Sequence, residues 1–382
     1  MKYAMVVPKE FKMHYEHTPF EISGLLNWAR AMKGDVVTVD DDLSQYDILH
    51  CNLSSTEINY PYKCRMENPD AVIVGNLDFA IDVLQQYFSA IEGEVPTKNF
   101  PSSYLLDTIK SIDIVLSVEP TQSKWLNMMV GDVKTIHHVP HPTDVAAVLG
   151  YVNKIPPVEH NPTICNVAVE WHQYEHNHIL PLQILNAAQR KLDSAGNKIT
   201  LVRKLMGVKP KFCTEGGIRF PVQSGIKLPA FMQDLVALGM PHLIPLHSIN
   251  GNIEFINADD GCHYWDDIVP YLAPMEFYQE LIKSDVALDL YTIFSLGRFQ
   301  MDSAICSVPS VVSDRSYSGN RLYPYTSVSL REPGVIVEKL VELIVDEEHR
   351  DEVINYASDH LYEFDLEQCR KILSQLVQDF LK

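Results

Sequence analysis

Ser284-Asp285-Val286-Ala287-Leu288-Asp289-Leu290-Tyr291, then Ser295-Leu296-Gly297-Arg298-Phe299-Gln300-Met301-Asp302, then Val308-Pro309-Ser310-Val311-Val312-Ser313-Asp314, decide the reading of this chain. The first and third runs predict short buried strands, and the second predicts a glycine-containing loop that opens a helix. A loop feeding a helix N-terminus is an anion site, because unpaired backbone N–H groups and the positive end of the helix dipole converge there. Asp302, one turn into that helix, suits a ribose hydroxyl. These are parts for holding a nucleotide diphosphate.

Outward from this stretch, short apolar runs alternate with helical patterns, the signature of a parallel α/β architecture. Strands are expected at 4–7, 36–39, 46–51, 71–74, 112–118 and 134–139, and again at 163–169, 198–202, 267–271, 286–290 and 310–313. Helical spacing marks 22–32, 79–88, 121–129, 181–195, 274–283, 297–307, 334–346, 348–362 and 366–381. Residues 205–265 carry Gly and Pro clusters and fit a hairpin with an extra helix near 230–238. The polar, Pro-rich segment containing Pro156, Pro157, His160, Asn161 and Pro162 reads as a linker. The expected organisation is therefore a Rossmann-like domain over 1–153, a linker over 154–162 and a second Rossmann-like domain over 163–365. A terminal helix over 366–382 would pack back on the first domain. Two doubly wound domains in tandem bind ligands at the carboxyl ends of their strands, facing one cleft.

Bulk properties narrow the function. The 382 residues suffice for two cores, and 46% hydrophobic with 21% charged residues is ordinary for a globular chain. Fifty acidic against 31 basic residues give a net charge of −19. That balance disfavours a broad nucleic-acid surface, whose affinity comes from neutralising phosphates, but leaves room for a small basic cleft. The seven cysteines, none in C-x-x-C spacing, fit reduced thiols better than a disulfide framework or a zinc site. The apolar run Tyr3–Val7 stops at Pro8 and Lys9, and no run approaches the ~18 residues of a membrane span. A cytoplasmic location is the expectation, and the lack of an export signal disfavours a two-lobed periplasmic binding protein. No G-x-S-x-G, H-E-x-x-H, G-x-x-x-x-G-K-[ST] or G-x-G-x-x-G occurs, against hydrolase, zincin, P-loop and dinucleotide-oxidoreductase readings.

Four pieces, in order, resemble the GT-B-fold glycosyltransferases, in particular the large retaining family of glycogen, sucrose and phosphatidylinositol mannosyl synthases. Tyr46-Asp47-Ile48-Leu49-His50 resembles its Asp-x-x-x-His strand, and Val139-Pro140-His141-Pro142-Thr143-Asp144 its Pro-Asn-x-x-Asp. Met275 to Val286 resembles its helix-then-strand approach, and Phe294 to Val312 its E-S-F-G-x-x-x-x-E-A-x-A-x-G-x-P-V-V motif. The resemblance spans most of the chain. Its E-x7-E pair is degenerate, with Phe294 in place of the sugar-contacting glutamate and Asp302 in place of the ribose-binding one. The family's Gly-Arg…Lys after the first C-domain strand is replaced by Glu170 to His178, and its Gly-Gly loop by Lys9 to Pro19.

The resemblance implies a glycosyltransferase that takes a nucleotide-diphosphate sugar as co-substrate, a UDP-sugar for preference, with no metal or other cofactor. Ser295, Leu296, Gly297, Arg298 and Phe299 would hold the diphosphate and Asp302 the ribose, although Ser295 also suits a plain helix N-cap. Arg203 and Lys204, placed just after the strand 198–202, could supply the missing positive charge, and Arg315, Arg321 and the Ser316–Asn320 segment, after the next strand, could also line the donor site. His50, at the expected strand end, would approach a sugar and suits a general base. His14 lies in the first loop with His17 and is a second base candidate; His17 and Glu119 are acceptor contacts. His172, His176 and His178 make a poor metal set, since positions i and i+6 diverge by roughly 240° on a helix. The acceptor is open. A catalytically altered binding or scaffold protein, a nucleobase glucosyltransferase acting on DNA, and a nucleotide-sugar epimerase are the alternatives.

Overall fold

Strands buried on both faces need near-continuous apolar sequence, which is what Tyr3-Ala4-Met5-Val6 and Ile114-Val115-Leu116-Ser117 provide. The computed structural model describes residues 1–9, 12, 24, 26–53, 59–77, 103–132, 134–170, 179–208, 213–214, 217–218, 220–223, 253–256, 265–270, 272–291 and 294–382. The backbone divides into two units: Met1–Val148 with Ile293–Leu296 and Leu361–Lys382, and Leu149–Thr292 with Gly297–His360.

In the first unit β1 (Tyr3–Val6), α1 (Asn27–Met32), β2 (Asp35–Val37), β3 (Ile48–Asn52), α2 (Tyr60–Glu67), β4 (Val72–Leu77), α3 (Ser103–Lys110), β5 (Ile114–Ser117), α4 (Pro120–Val130), β6 (Ile136–His138) and α5 (Val145–Val152) follow in order. The six strands form one parallel sheet, ordered β2-β1-β3-β4-β5-β6. Ala4, Val6, Leu49 and Cys51 point to one core, while Tyr3, Met5 and Val7 point to the other, as strand alternation requires. The second core is covered by Trp28 and Ala29 of α1 and by Cys369, Leu373 and Val377 of the terminal helix Leu366–Phe380. Those three residues are four apart, so they form one stripe of that helix.

The second unit contains β7 (Ile164–Glu170), α6 (Ile179–Ser194) and β8 (Thr200–Val208). Two small antiparallel ladders follow, β9 (Cys213–Thr214) with β10 (Gly217–Ile218), and β11 (Phe220–Gln223) with β12 (Ile253–Ile256). Then come β13 (Asp267–Pro270), α7 (Pro274–Leu281), β14 (Val286–Asp289), α8 (Arg298–Ile305), β15 (Ser310–Ser313), α9 (Tyr317–Leu322), β16 (Ser327–Val328), α10 (Pro333–Val345) and α11 (Glu347–His360). The terminal helix Leu366–Phe380 is α12. The main sheet is again parallel, ordered β13-β8-β7-β14-β15-β16.

Two expectations are corrected. β3 continues to Asn52, so His50 is the third of its five residues and does not close the strand. β8 continues to Val208, so Arg203 and Lys204 lie inside it. In both cases polar residues that look like a strand end are accommodated within the sheet by partners from elsewhere in the chain. The expected helices at 79–88 and 230–238 lie outside the described residues.

Candidate functional site

β7 has β8 on one side and β14 on the other, so the strand order reverses between β7 and β14. In an open parallel sheet the crevice outside the carboxyl ends at such a point is where ligands bind. Here β14 ends in Asp289 and β15 in Ser313, both buried. α8 opens beside them on Gly297, whose φ of +82° is left-handed. A side chain at 297 would be strained by that backbone and would run into the hydroxyls of Ser316 and Ser318 and into Gln300 Oε1.

A buried polar layer fixes this loop. Ser318 Oγ donates to the Gly297 carbonyl, and Gln300 Nε2 donates to Asp289 Oδ2. Ser313 Oγ donates to the Tyr291 carbonyl at 2.7 Å. Ser316 Oγ accepts from Gly319 N at 3.1 Å and so caps α9. The N-terminal ends of α8 and α9 thus lie at the edge where β14 and β15 finish. Gln300 Oε1 is buried with no hydrogen-bond partner among the described residues. The Ser316–Asn320 segment is foreseen from sequence; Asp289 and Gln300 are missed. A carboxylate ending an apolar strand, as in Val286-Ala287-Leu288-Asp289, is the signal that could have found the first.

The residues expected on a diphosphate separate into different roles. Ser295 does not cap α8, because Gly297 holds the N-cap position. Its Oγ is buried without a partner among the described residues, and Ser295 and Leu296 group with the first unit. Phe299 turns its ring into the core with Ala168, Ala287 and Val308, leaving only its backbone for a ligand. Arg298 and Asp302 meet across one turn, Nε to Oδ1 at 3.0 Å, and Tyr278 Oη donates to the same oxygen at 2.8 Å. Burial pushes the Asp302 carboxyl up, against the pull of Arg298 and Tyr278. Burial also opposes the Arg298 charge, but Asp302 and Tyr278 outweigh it and its pKa sits above the usual arginine value. Phe294, at the position of the family's first glutamate, is 40% exposed.

Inside β8, Arg203 forks onto Asp266, with Nε to Oδ2 at 2.8 Å and Nη2 to Oδ1 at 2.9 Å. Lys204 is buried, and its Nζ donates to the Glu280 carboxylate at 2.9 Å and carbonyl at 3.0 Å. These partners are why a strand can carry two adjacent cations, and they spend the charge that sequence assigns to a ligand.

In the first unit His50 is fully buried. Its Nδ1 lies 2.7 Å from Tyr3 Oη, and its ring packs 5.4 Å from Trp28. Desolvation, helped by nearby His141, lowers its pKa to about 3. Desolvation raises that of Tyr3, so the tyrosine keeps its proton and can donate it to Nδ1. An uncharged imidazole enclosed this way is poorly placed to take a proton from an acceptor hydroxyl. The sheet edge itself holds Asn52, Asn76, Ser117 and His141, all buried, with Asn76 Nδ2 3.4 Å from His141 Nε2. Glu119 is the N-cap of α4, its Oε2 accepting from Gln122 N at 2.5 Å. His14, His17 and the 171–178 histidines lie outside the described residues. Among the described residues no group of three or more His, Cys, Asp or Glu side chains is gathered to hold a metal ion, and no helix is long and apolar enough to cross a membrane.

No protein-family model matches the chain, and no curated protein matches it in sequence. Solved structures do match in fold. An α-glucosyltransferase in complex with UDP-glucose and DNA containing an abasic site aligns over 99% of this chain and 99% of its own, with TM-score 0.57 and 12% identity. HepE of Anabaena, in complex with UDP and glucose, aligns over 99% and 100%, with TM-score 0.57 and 11% identity. The α,α-trehalose 6-phosphate synthase of Burkholderia multivorans aligns over 97% of this chain and 77% of its own, with TM-score 0.55 and 10% identity.

This chain has the GT-B fold. At these identities the likeness carries the fold alone, and the GT-B assignment rests on both sheets being matched in full-length alignment. The fold is the one the resemblance implies.

Proposed function

We propose that the protein is a glycosyltransferase that takes its sugar from a UDP-sugar held at the carboxyl edge of the second unit's sheet. The observation that supports this most is Gly297: a left-handed, side-chain-free cap that opens α8 where β14 and β15 end. A diphosphate there would meet backbone N–H groups and the positive end of the helix dipole. The Ser316 and Ser318 hydroxyls border the same loop, and Arg298 stands one residue on. Donors aimed at the bond-breaking oxygen would stabilise the leaving UDP as its charge grows. Metal would not be required by that arrangement. With Phe294 in place of the family glutamate, no carboxylate is available at that position to orient the sugar, so the stereochemical outcome is open.

The first unit would carry the acceptor at the edge bearing Asn52, Asn76 and His141. A duplex-DNA acceptor is a second reading, favoured by the full-length alignment with an α-glucosyltransferase bound to DNA. The charge of −19 weighs against it.

Thermal unfolding with UDP, UDP-glucose, GDP, ADP and their sugars, followed by assay of donor hydrolysis, tests the reading. Stabilisation by a UDP-sugar with slow release of UDP is expected. Stabilisation by no nucleotide would leave a binding or scaffold role on the same fold. Binding to 5-hydroxymethyl-pyrimidine DNA that weakens steeply with salt would favour the DNA acceptor.

A further inference from the structure

At the other edge of the second sheet the strands begin rather than end. There β7, β14 and β15 start around a cavity of about 530 Å³, closed on one side by Ile344 of α10 and by Arg350 and Ile354 of α11. That volume falls in the roughly 300–1,000 Å³ range of small-molecule sites. It shares no residue with the Gly297 edge.

Two polar residues in the cavity's lining are of particular interest. Ser284 is 3% exposed, and its Oγ has no hydrogen-bond partner among the described residues. Arg350 lines the same space and its guanidinium makes no ion pair or side-chain hydrogen bond among the described residues. A buried hydroxyl such as that of Ser284 is rarely left this way unless something meets it. Asp285, which also lines the cavity, is by contrast satisfied. Its Oδ2 accepts from Asn166 N at 2.7 Å and from Asn166 Nδ2 at 3.2 Å, and its Oδ1 lies 2.5 Å from His160 Nδ1. The remaining wall mixes polar groups, His160, Asn161 and Ser307 among them, with apolar side chains that include Ile199, Ile344 and Ile354.

We propose that this cavity binds a small organic monocarboxylate. Its carboxylate would lie on the Arg350 guanidinium and accept from Ser284 Oγ, and its apolar body would lie among the isoleucines. A guanidinium matches a carboxylate in a two-pronged geometry. A dianion fits less well, because one arginine balances one charge and the Asp285 carboxylate repels the second. A neutral apolar ligand would leave the Arg350 guanidinium without a counter-charge in the cavity.

Ligand-detected NMR titration of the full chain with phenylacetate, 2-phenylethanol and phenyl phosphate tests this. Phenylacetate should bind at least about tenfold more tightly than either other probe, and saturating UDP should not displace it. Arg350→Gln should weaken phenylacetate by about tenfold or more, the usual scale for a charged hydrogen bond. Ile354→Trp, which fills the cavity without touching the charge, should abolish binding and serves if Arg350→Gln does not fold. Failure of phenylacetate to bind, equal binding by Arg350→Gln, tighter binding of phenyl phosphate or of 2-phenylethanol, or displacement by UDP would each overturn the proposal. Apart from displacement by UDP, none of these outcomes bears on whether UDP-glucose binds at Gly297.

Discussion

Arg298 and Asp302 form an ion pair within α8, Nε to Oδ1 at 3.0 Å, with Tyr278 of α7 donating to the same carboxylate oxygen. The Asp302 side chain is 3% exposed and that of Arg298 21%. Breaking a buried pair from one side strips the other charge of that partner, which is costlier than the pair itself is worth. Asp302→Ala should therefore destabilise the chain by about 2–4 kcal/mol, below the extreme because Arg298 keeps some solvent. Asp302→Asn retains an acceptor for Tyr278 and should cost less. Urea unfolding checks both, and an Asp302→Ala variant within about 0.5 kcal/mol of wild type would show the pair to be incidental.

Gly297 is the position where one added carbon should do most to nucleotide binding. A left-handed backbone costs an ordinary residue about 1–2 kcal/mol. The new Cβ would also collide with the Ser316 and Ser318 hydroxyls, which hold the loop. Gly297→Ala should lose most of the thermal stabilisation given by UDP-glucose, while far-ultraviolet circular dichroism stays that of the wild type. Undiminished stabilisation would place the nucleotide elsewhere.

The terminal helix should prove structural. Leu373 is fully buried against the first unit's sheet, between Cys369 and Val377 on the same stripe. Leu373→Ala should cost about 2–5 kcal/mol, as deletion of a buried leucine does. Gln375→Ala, on the opposite face of α12, should fall within about 0.5 kcal/mol of wild type. Equal effects in denaturant unfolding would mean that α12 does not contribute to the core as its contacts indicate.

Periodicity carried most of the fold, because parallel strands buried on both faces leave unmistakable apolar runs. Val286–Asp289 and Ser310–Ser313 are found within a residue of their expected ends. What failed was polar residues read as punctuation. Arg203 and Lys204 read as the end of a strand, yet Asp266 and Glu280, both more than sixty residues further on, neutralise them inside β8. α2 escapes notice because only Pro61 and Cys64 of its eight residues are buried, which leaves no apolar period to detect. The Gly297 loop was legible as a glycine-containing loop that opens a helix. The pairing of Arg298 with Asp302 was not, because the spacing that lets a carboxylate reach a ribose equally lets it reach the preceding turn.

His50 should govern part of the acid sensitivity of the chain. Its pKa falls from the ordinary 6.5 to about 3 in the folded protein, chiefly through desolvation. Between those values the unfolded chain binds a proton that the folded chain refuses, so the unfolding free energy rises with pH across this window and falls as pH drops through it. The slope is at most about 1.4 kcal/mol per pH unit for one proton. His50→Gln removes the titrating group and leaves a side-chain carbonyl to accept from Tyr3 Oη. Its stability should therefore start below that of wild type at pH 7.5 and change less as the pH is lowered to 4.5, so that the two curves converge. Urea unfolding across that range measures the difference, and parallel curves would mean that the imidazole gains a proton without leaving its core.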